Sequence, residues 1–239
     1  MQILTLLELE NLMRLISLIL LFLLSGTVSA QKVEWYTTTQ TSPWVKQKVK
    51  PERTTTGAEI VLDPAQRLQL ITGIGGCFNE MGWDALNALS AEDREAVLQA
   101  IFGKDGACFD YCRLPMGAND FAMSFYSSAD VAGDFNLVNF NIDRDRYILI
   151  PYIKAARQIN PNLRIWASPW CPPPWMKTNN HYASAVRPSG EKDVNGLLPR
   201  EAIAEFSTGF RMEEGYLKTY ADYFARFIKA YEAEGLPLE

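Results

Sequence analysis

From residue 73 onward, short apolar segments alternate with longer segments whose apolar residues recur every three or four positions. The short segments are GIGGCF (73–78), the apolar part of CFDYCRLPMGAND (108–120) and LRIWASPW (163–170). Short apolar runs of this kind are typical of strands that are buried on both faces. Because strands that alternate with helices form a parallel sheet with right-handed crossovers, the pattern predicts an α/β fold.

Helices are predicted between these strands. EMGWDALNAL follows the first strand, and a second helix begins at Ser90, where Asp93 has the spacing of a capping box. Gly103 is predicted to end that helix. The segment RDRYILIPYIKAARQIN (144–160) is amphipathic and is predicted to stop at Asn160-Pro161.

The clearest periodicity lies near the C-terminus, in GYLKTYADYFARFIKAYEAEG. Five aromatic residues fall three or four apart on one helical face: Tyr216, Tyr220, Phe224, Phe227 and Tyr231. Such a stripe is interpreted as core packing rather than a cofactor site. Gly235 and Pro237 are predicted to close the helix.

Residues 31–71 are predicted to be extended. QKVEWYTTTQTSPWVKQKV (31–49) is rich in threonine and alternates weakly, whereas AEIVLD (58–63) and RLQLI (67–71) have the pattern of two strands around the Asp63-Pro64 turn. Residues 31–71 are therefore predicted to form N-terminal strands, and residues 72–239 a sheet-and-helix domain.

The first 30 residues have the pattern of a secretory signal. MRLISLILLFLLSGTVSA (13–30) has a basic residue, an apolar run from Leu15 to Leu24, and small residues before Gln31. The run is shorter than the roughly 20 apolar residues that a helix needs to cross a membrane. We therefore expect translation to start at Met13, and the mature protein to be soluble, without a stable membrane anchor, and secreted or periplasmic.

Composition narrows the function. The chain has 239 residues and a formal net charge of −5, which disfavours nucleic acid as a partner. Four cysteines without a C-x-x-C pair and a single histidine predict neither a metal site nor a cofactor. The cysteines are interpreted as small buried residues, and a Cys108–Cys112 disulfide is the alternative in an oxidising compartment.

Polar and aromatic residues follow each predicted strand, at the edge where α/β barrels carry their active sites. They are Asn79 and Glu80, then Asn119 and Asp120, then Trp170 and Trp175. Asp120 is either an ordinary loop residue or a ligand contact. The loop WCPPPW is stiff because it contains three consecutive prolines, and its indole rings either stack on a sugar ring or cap the sheet.

Arg113 lies inside a predicted strand, where its charge is costly unless carboxylates pair with it. It serves either as part of a structural ion pair or to orient a catalytic or substrate-binding carboxylate. Glu80 raises a separate question, since its position after a strand would suit a catalytic acid.

Four segments together resemble glycoside hydrolase family 30, and its glucosylceramidase-like branch in particular, over residues 58–235. They are GIGGCFNEMGWDALNALS, CRLPMGANDFAMSFYS, DFNLVNFNIDRDR and LIPYIKAARQINPNLRIWASPWCPPPWMKTN. The resemblance implies a (β/α)8 TIM barrel with a side β-domain to which residues 31–71 contribute. It also implies retaining hydrolysis of β-linked glycosides by two glutamates about 5–5.5 Å apart.

The resemblance assigns roles to five residues. Asp120 matches the aspartate that binds sugar hydroxyls, Trp170 the tryptophan of the same subsite, and Phe121 an adjacent aromatic residue. Arg113 matches the strand arginine beneath the catalytic carboxylates. Glu80 matches a supporting carboxyl group rather than the catalytic acid, with Arg113 as a candidate ion-pair partner.

One departure from the family is decisive for activity. The family's acid/base belongs to an Asn-Glu-Pro motif after the fourth barrel strand, and this sequence contains no such motif. A complete barrel needs about 250 residues and eight βα units, of which three are predicted here. The chain is thus expected to be an N-terminal fragment without catalytic residues, inactive by itself. The expected whole is an exported β-glycosidase for β-glucosides such as glucosylceramide or β-1,6-glucan; the alternative is a non-catalytic carbohydrate-binding relic.

Overall fold

The computed structural model describes residues 13, 33–50, 63, 65–186 and 195–239. The chain divides into two compact units, up to Arg67 and from Leu68 onward. In the first unit, β1 (Trp35–Thr37) and β2 (Val45–Gln47) pair as antiparallel strands, which confirms the extended prediction within residues 31–49. Most of the predicted signal and residues 58–62 lie outside the described residues. The strand predicted at 67–71 is wrong, because this segment forms no strand.

The second unit begins with two helices, α1 (Glu80–Asn87) and α2 (Ala91–Phe102). Asn79 caps α1 by accepting a hydrogen bond from the backbone N–H of Gly82 at 2.7 Å. Ser90 caps α2 by accepting from the backbone N–H of Asp93 at 3.1 Å, which confirms the predicted start. Each cap satisfies a backbone donor that the first helical turn leaves without a partner.

The sheet of this unit is parallel, as predicted. Strands β3 (Tyr111–Met116) and β4 (Arg164–Pro169) pair with Cys112 opposite Ile165. On the other side of β3, Cys77 forms a parallel bridge with Arg113, and the backbone N–H of Phe78 donates to the carbonyl of Arg113 at 2.9 Å. The order is therefore 76–78, β3, β4, with helical crossovers between the strands.

The single helix predicted at 144–160 is wrong in one respect, since it is two helices. They are α3 (Asp143–Tyr147) and α4 (Leu149–Ile159), separated at Ile148 with φ −122° and ψ −64°. Pro151 explains the break. It has no N–H to donate to the carbonyl of Tyr147, and its ring would clash with that carbonyl in a continuous helix.

Helix α5 (Glu214–Ala233) packs its aromatic stripe into the core, as predicted, except for Tyr216, which contacts Phe135 and Trp175 outside the core cluster. Phe227 and Tyr231 are buried, and so is Tyr223, which the predicted stripe omitted. The helix ends in a Schellman motif: Gly235 has φ 77°, and the backbone N–H of Leu236 donates to the carbonyl of Tyr231 at 3.0 Å. None of the helices in the described residues is both long enough and apolar enough to cross a bilayer.

Candidate functional site

A cavity of about 240 Å³ opens at the carboxyl ends of β3 and β4. Gly117 follows β3 with φ 81°, in the left-handed region that favours glycine, and turns the chain into the loop 117–126. The backbone N–H of Ala118 donates to the carbonyl of Tyr126 at 3.0 Å and closes that loop. The cavity is lined by Ala118, Asn119, Asp120, Phe125, Trp170, Cys171, Tyr182 and Ala183.

Asp120 and Trp170 meet at this cavity. The indole Nε1–H of Trp170 donates to Oδ1 of Asp120 at 3.0 Å, although the two residues are 50 positions apart. Trp170 remains 40% exposed. A carboxylate has about four acceptor sites, so this bond leaves Asp120 able to accept from ligand hydroxyls.

Arg113 supports the indole ring from below. Its guanidinium carbon lies 4.7 Å from the centre of the Trp170 ring and 5.9 Å from that of Trp166. Its Nε–H donates to Sγ of Cys77 at 3.3 Å. Because Arg113 covers one face of Trp170, a sugar ring would stack on the other face. The pairing predicted between Arg113 and Glu80 is wrong, and no described carboxylate lies within ion-pair distance of Arg113.

Glu80 instead pairs with Arg144. The Glu80 side chain is 2% exposed, and Arg144 binds both its oxygens, with Nε–Oε1 at 2.6 Å and Nη2–Oε2 at 2.7 Å. Hydrogen bonding to Glu80 raises the pKa of Arg144. The backbone N–H of Met123 also donates to Oε2 of Glu80 at 2.7 Å, and Arg144 donates to Oγ of Ser124 at 2.8 Å. The ion pair therefore holds the middle of the loop that carries Asp120.

The end of the same loop is held by Asp145, a buried residue of α3. Its carboxylate accepts from the hydroxyl of Tyr126 at 3.0 Å and from that of Tyr231, on α5, at 2.7 Å. Neither Arg144 nor Asp145 stood out in the sequence, because alternating charges such as DRDR (143–146) usually mark a solvated helix face. The one indication of Arg144 in the sequence is Glu80 itself, because a glutamate directly after a buried strand requires a cation as its partner.

Asp145 is expected to make stability depend on pH. Burial raises its pKa from 3.8 to about 6. Between these values the folded state binds more protons than the unfolded state, so the free energy of unfolding falls as the pH rises from about 4 to about 6. Two pKa units correspond to at most about 3 kcal/mol.

The matched variant is Asp145→Asn, which keeps the shape and cannot ionise. From about pH 7 to about pH 4, wild-type protein should gain up to about 3 kcal/mol relative to the variant in urea denaturation. A difference between the two proteins that stays constant over this range would contradict the assignment.

Two further aromatic rings, those of Phe125 and Tyr182, line the cavity. Phe125 stacks on Tyr182 with centroids 5.1 Å apart, and the hydroxyl of Tyr182 donates to Oδ1 of Asp130 at 2.8 Å. Phe121 does not line the cavity: it is 56% exposed, and its carbonyl accepts from the backbone N–H of Met81 at 3.0 Å.

The two tryptophans of the proline loop have different environments. Trp175 is buried and donates from Nε1 to the carbonyl of Ala129 at 2.8 Å, so it packs inside the protein. Trp170 is the tryptophan available to a ligand. His181, the single histidine, is half-buried, and its Nδ1 accepts from the backbone N–H of Ala183 at 3.0 Å.

The cysteines depart in part from the prediction. All four are free thiols, so the structure has no Cys108–Cys112 disulfide. Cys112 is buried as expected, whereas Cys108 is exposed and Cys77 and Cys171 are partly buried. Within the described ranges, no group of three or more histidine, cysteine or acidic residues is arranged to hold a metal ion.

Comparison with known proteins identifies relatives of this chain. Residues 71–196, just over half of the chain, match the glycosyl hydrolase family 30 TIM-barrel domain. The chain is 29% identical to the lysosomal acid glucosylceramidase of Mus musculus over 190 residues, which cover 79% of this chain and 33% of the relative. It is 27% identical to the endo-1,6-β-D-glucanase of Neurospora crassa over 179 residues, covering 74% of this chain and 33% of the relative.

A solved structure shows the same fold. The endo-β1,6-glucanase BT3312 superposes with a TM-score of 0.56 at 28% identity, over 74% of this chain and 35% of the other. The chain spans about a third of the length of the curated relatives it matches. The parallel sheet with its helices is therefore part of a TIM barrel, as predicted.

Proposed function

Because this chain belongs to glycosyl hydrolase family 30, we propose that it supplies a glucose-binding subsite to an exported retaining β-glycosidase. Two kinds of relative support a β-glucoside as substrate, since their names specify glucosylceramide and β-1,6-linked glucan. Both substrates carry a β-linked glucose unit. Export is proposed from the signal-like sequence of residues 13–30.

The observation that carries the proposal is the bond between Asp120 and Trp170 beside the cavity. A carboxylate accepts hydrogen bonds from sugar hydroxyls, and an indole ring stacks on the apolar face of a pyranose. The bond from Nε1 fixes the carboxylate relative to the ring, so both groups meet one sugar without reorganisation. Asn119 adds an amide that can donate and accept.

The proposed division of labour is that residues 1–239 bind the sugar and do not cleave it. Retaining hydrolysis needs a proton donor and a nucleophile about 5–5.5 Å apart. The family's Asn-Glu-Pro acid/base does not occur in these residues, and Glu80 is engaged by Arg144 and by Met123. The second candidate is a carbohydrate-binding protein without hydrolytic activity, which the Asp120–Trp170 bond beside the cavity would serve equally well.

Asp120→Ala is expected to weaken binding of a β-glucoside to the chain by about 10- to 100-fold, because hydrogen bonds to a charged group contribute about 1.5–3 kcal/mol. Isothermal titration with octyl β-glucoside and with a β-1,6-linked glucose disaccharide measures the loss. Asp105→Ala, at an exposed aspartate outside the cavity, is the control and should bind like the wild type.

Two results would contradict the proposal. One is equal binding by the wild type and Asp120→Ala. The other is turnover of aryl β-glucosides by residues 1–239 alone. Turnover by a longer product that contains this chain would favour the glycosidase over the non-catalytic alternative.

A further inference from the structure

Cys171, which lines the cavity, forms a thiol–amine pair with the buried Lys177. The Nζ atom of Lys177 lies 3.9 Å from Sγ of Cys171. Both groups donate to the same carbonyl, that of Tyr182, at 2.6 Å from Nζ and 3.0 Å from Sγ. The shared acceptor holds the two atoms beside each other.

Lys177 is buried in a way that favours its neutral form. It is 4% exposed, and no carboxylate of the described residues lies within ion-pair distance. Its remaining contact is with Oγ of Ser184 at 3.2 Å. Burial lowers the pKa of Lys177, which makes its neutral, nucleophilic amine more accessible than that of an exposed lysine.

Small solutes can reach the pair from the cavity. Cys171 lines the cavity together with Asp120 and Trp170 and is only partly buried. The thiolate is the form that reacts with peroxides. Burial raises the pKa of Cys171, which opposes its ionisation, and the charge of a protonated Lys177 partly offsets that effect.

We propose that Cys171 and Lys177 are an oxidation site at which a peroxide generates a covalent sulfur–nitrogen bond. Lys177 takes the thiol proton, and the thiolate attacks hydrogen peroxide, giving a sulfenic acid and hydroxide. The hydroxide removes a proton from the ammonium group and becomes water. The free amine then displaces water from the sulfenic sulfur.

Atoms and electrons balance over the oxidation of the thiol and its condensation with the amine. Sulfur is oxidised by two electrons, peroxide is reduced to two molecules of water, and the chain loses two hydrogen atoms. A small thiol in excess reverses the reaction: two thiols become a disulfide and return the free cysteine and lysine. The bond would link two residues of the proline-rich loop that follows β4, one of which, Cys171, lines the cavity.

Mass spectrometry of the peroxide-treated chain tests the proposal directly. Trypsin normally cuts after Arg164 and after Lys177, so both partners lie in one peptide, IWASPWCPPPWMK. The linked form should resist cleavage at Lys177 and resist thiol alkylation. It should also be two hydrogen atoms lighter than the unlinked peptide of the same residues. A thiol reductant should restore the normal peptide.

The control variants separate the steps. Lys177→Arg keeps the positive charge but can neither take the thiol proton nor condense. Cys171 should then lose its proton to solvent, oxidise more slowly, and stop at a sulfenic acid that dimedone traps. Cys171→Ser should give no linked peptide. Cys108, an exposed thiol in the same chain, should yield sulfenic or sulfinic acid under the same conditions.

A wild-type chain in which Cys171 goes to sulfinic acid, with cleavage at Lys177 intact, would overturn the proposal. A linked peptide that forms equally in Lys177→Arg would overturn the assignment of Lys177. The readout does not require sugar binding, so its failure is distinct from failure of the proposed function. Where β-glucosides bind as proposed, they should slow the reaction by occupying the cavity.

Discussion

Arg144→Met is expected to destabilise the second unit by about 3–5 kcal/mol, because it leaves a buried carboxylate without its cation. Glu80 is 2% exposed and receives two charge-assisted hydrogen bonds from Arg144. Their loss would also release Ser124 and disturb the loop that carries Asp120. Urea denaturation followed by circular dichroism measures the loss as a lower midpoint.

Arg146→Met is the matched control, two residues away on the same short helix. Arg146 pairs with Asp143 at 2.6 Å and with Glu234 at 2.7 Å, but the side chain is half exposed. Solvent screens such pairs, so the expected loss is below about 1 kcal/mol. Arg144→Lys should fall between the two, since an ammonium group cannot bind both oxygens in the same fork. Equal losses for Arg144→Met and Arg146→Met would show that Glu80 does not depend on Arg144.

Phe227→Ala is expected to cost about 3–5 kcal/mol of stability, because it removes a large, fully buried side chain from the core. The Phe227 ring stacks on that of Tyr231 with centroids 4.7 Å apart. Tyr231 in turn donates to Asp145. The cavity left behind should therefore loosen both the helix packing and the hydrogen bond that holds α3.

Ile228→Ala tests the same helix on its other face. Ile228 is 45% exposed, so its truncation should change the free energy of unfolding by about 0.5 kcal/mol or less. Thermal and urea denaturation of the two variants compare them directly. Similar losses at both positions would mean that α5 does not bury the face that contains Phe227.

The candidate site was partly predictable. The resemblance predicts Asp120 and Trp170 as site residues. In the structure, Nε1 of Trp170 lies 3.0 Å from Oδ1 of Asp120. Phe121 was assigned in the same way, yet it does not line the cavity. In an irregular loop, no sequence periodicity specifies the directions of adjacent side chains. The correct assignment of Asp120 therefore does not determine where the side chain of Phe121 points.

The ion-pair partner of Glu80 is a second feature that the sequence did not predict. Arg113 was the natural candidate because it lies in a strand that needs compensation for its charge. The structure instead stacks its guanidinium on Trp170, with a hydrogen bond to Cys77. Indole faces and a thiol thus contact the charge in place of a carboxylate. A strand arginine whose charge meets indole rings and a thiol has no acidic partner that the sequence could indicate.

The amino-acid sequence alone determined the alternation of strands and helices, the cap at Ser90, the buried face of α5 and its end at Gly235. These features depend on neighbours within a few positions, where periodicity and backbone preference act directly. Only the tertiary structure decided that Glu80 pairs with Arg144 and that Cys171 lies beside Lys177. Glu80 and Arg144 are 64 positions apart, and their meeting depends on how α1 and α3 pack around the same loop. The proline loop that brings Cys171 to Lys177 is likewise shaped by contacts outside its own sequence, such as the carbonyl of Tyr182.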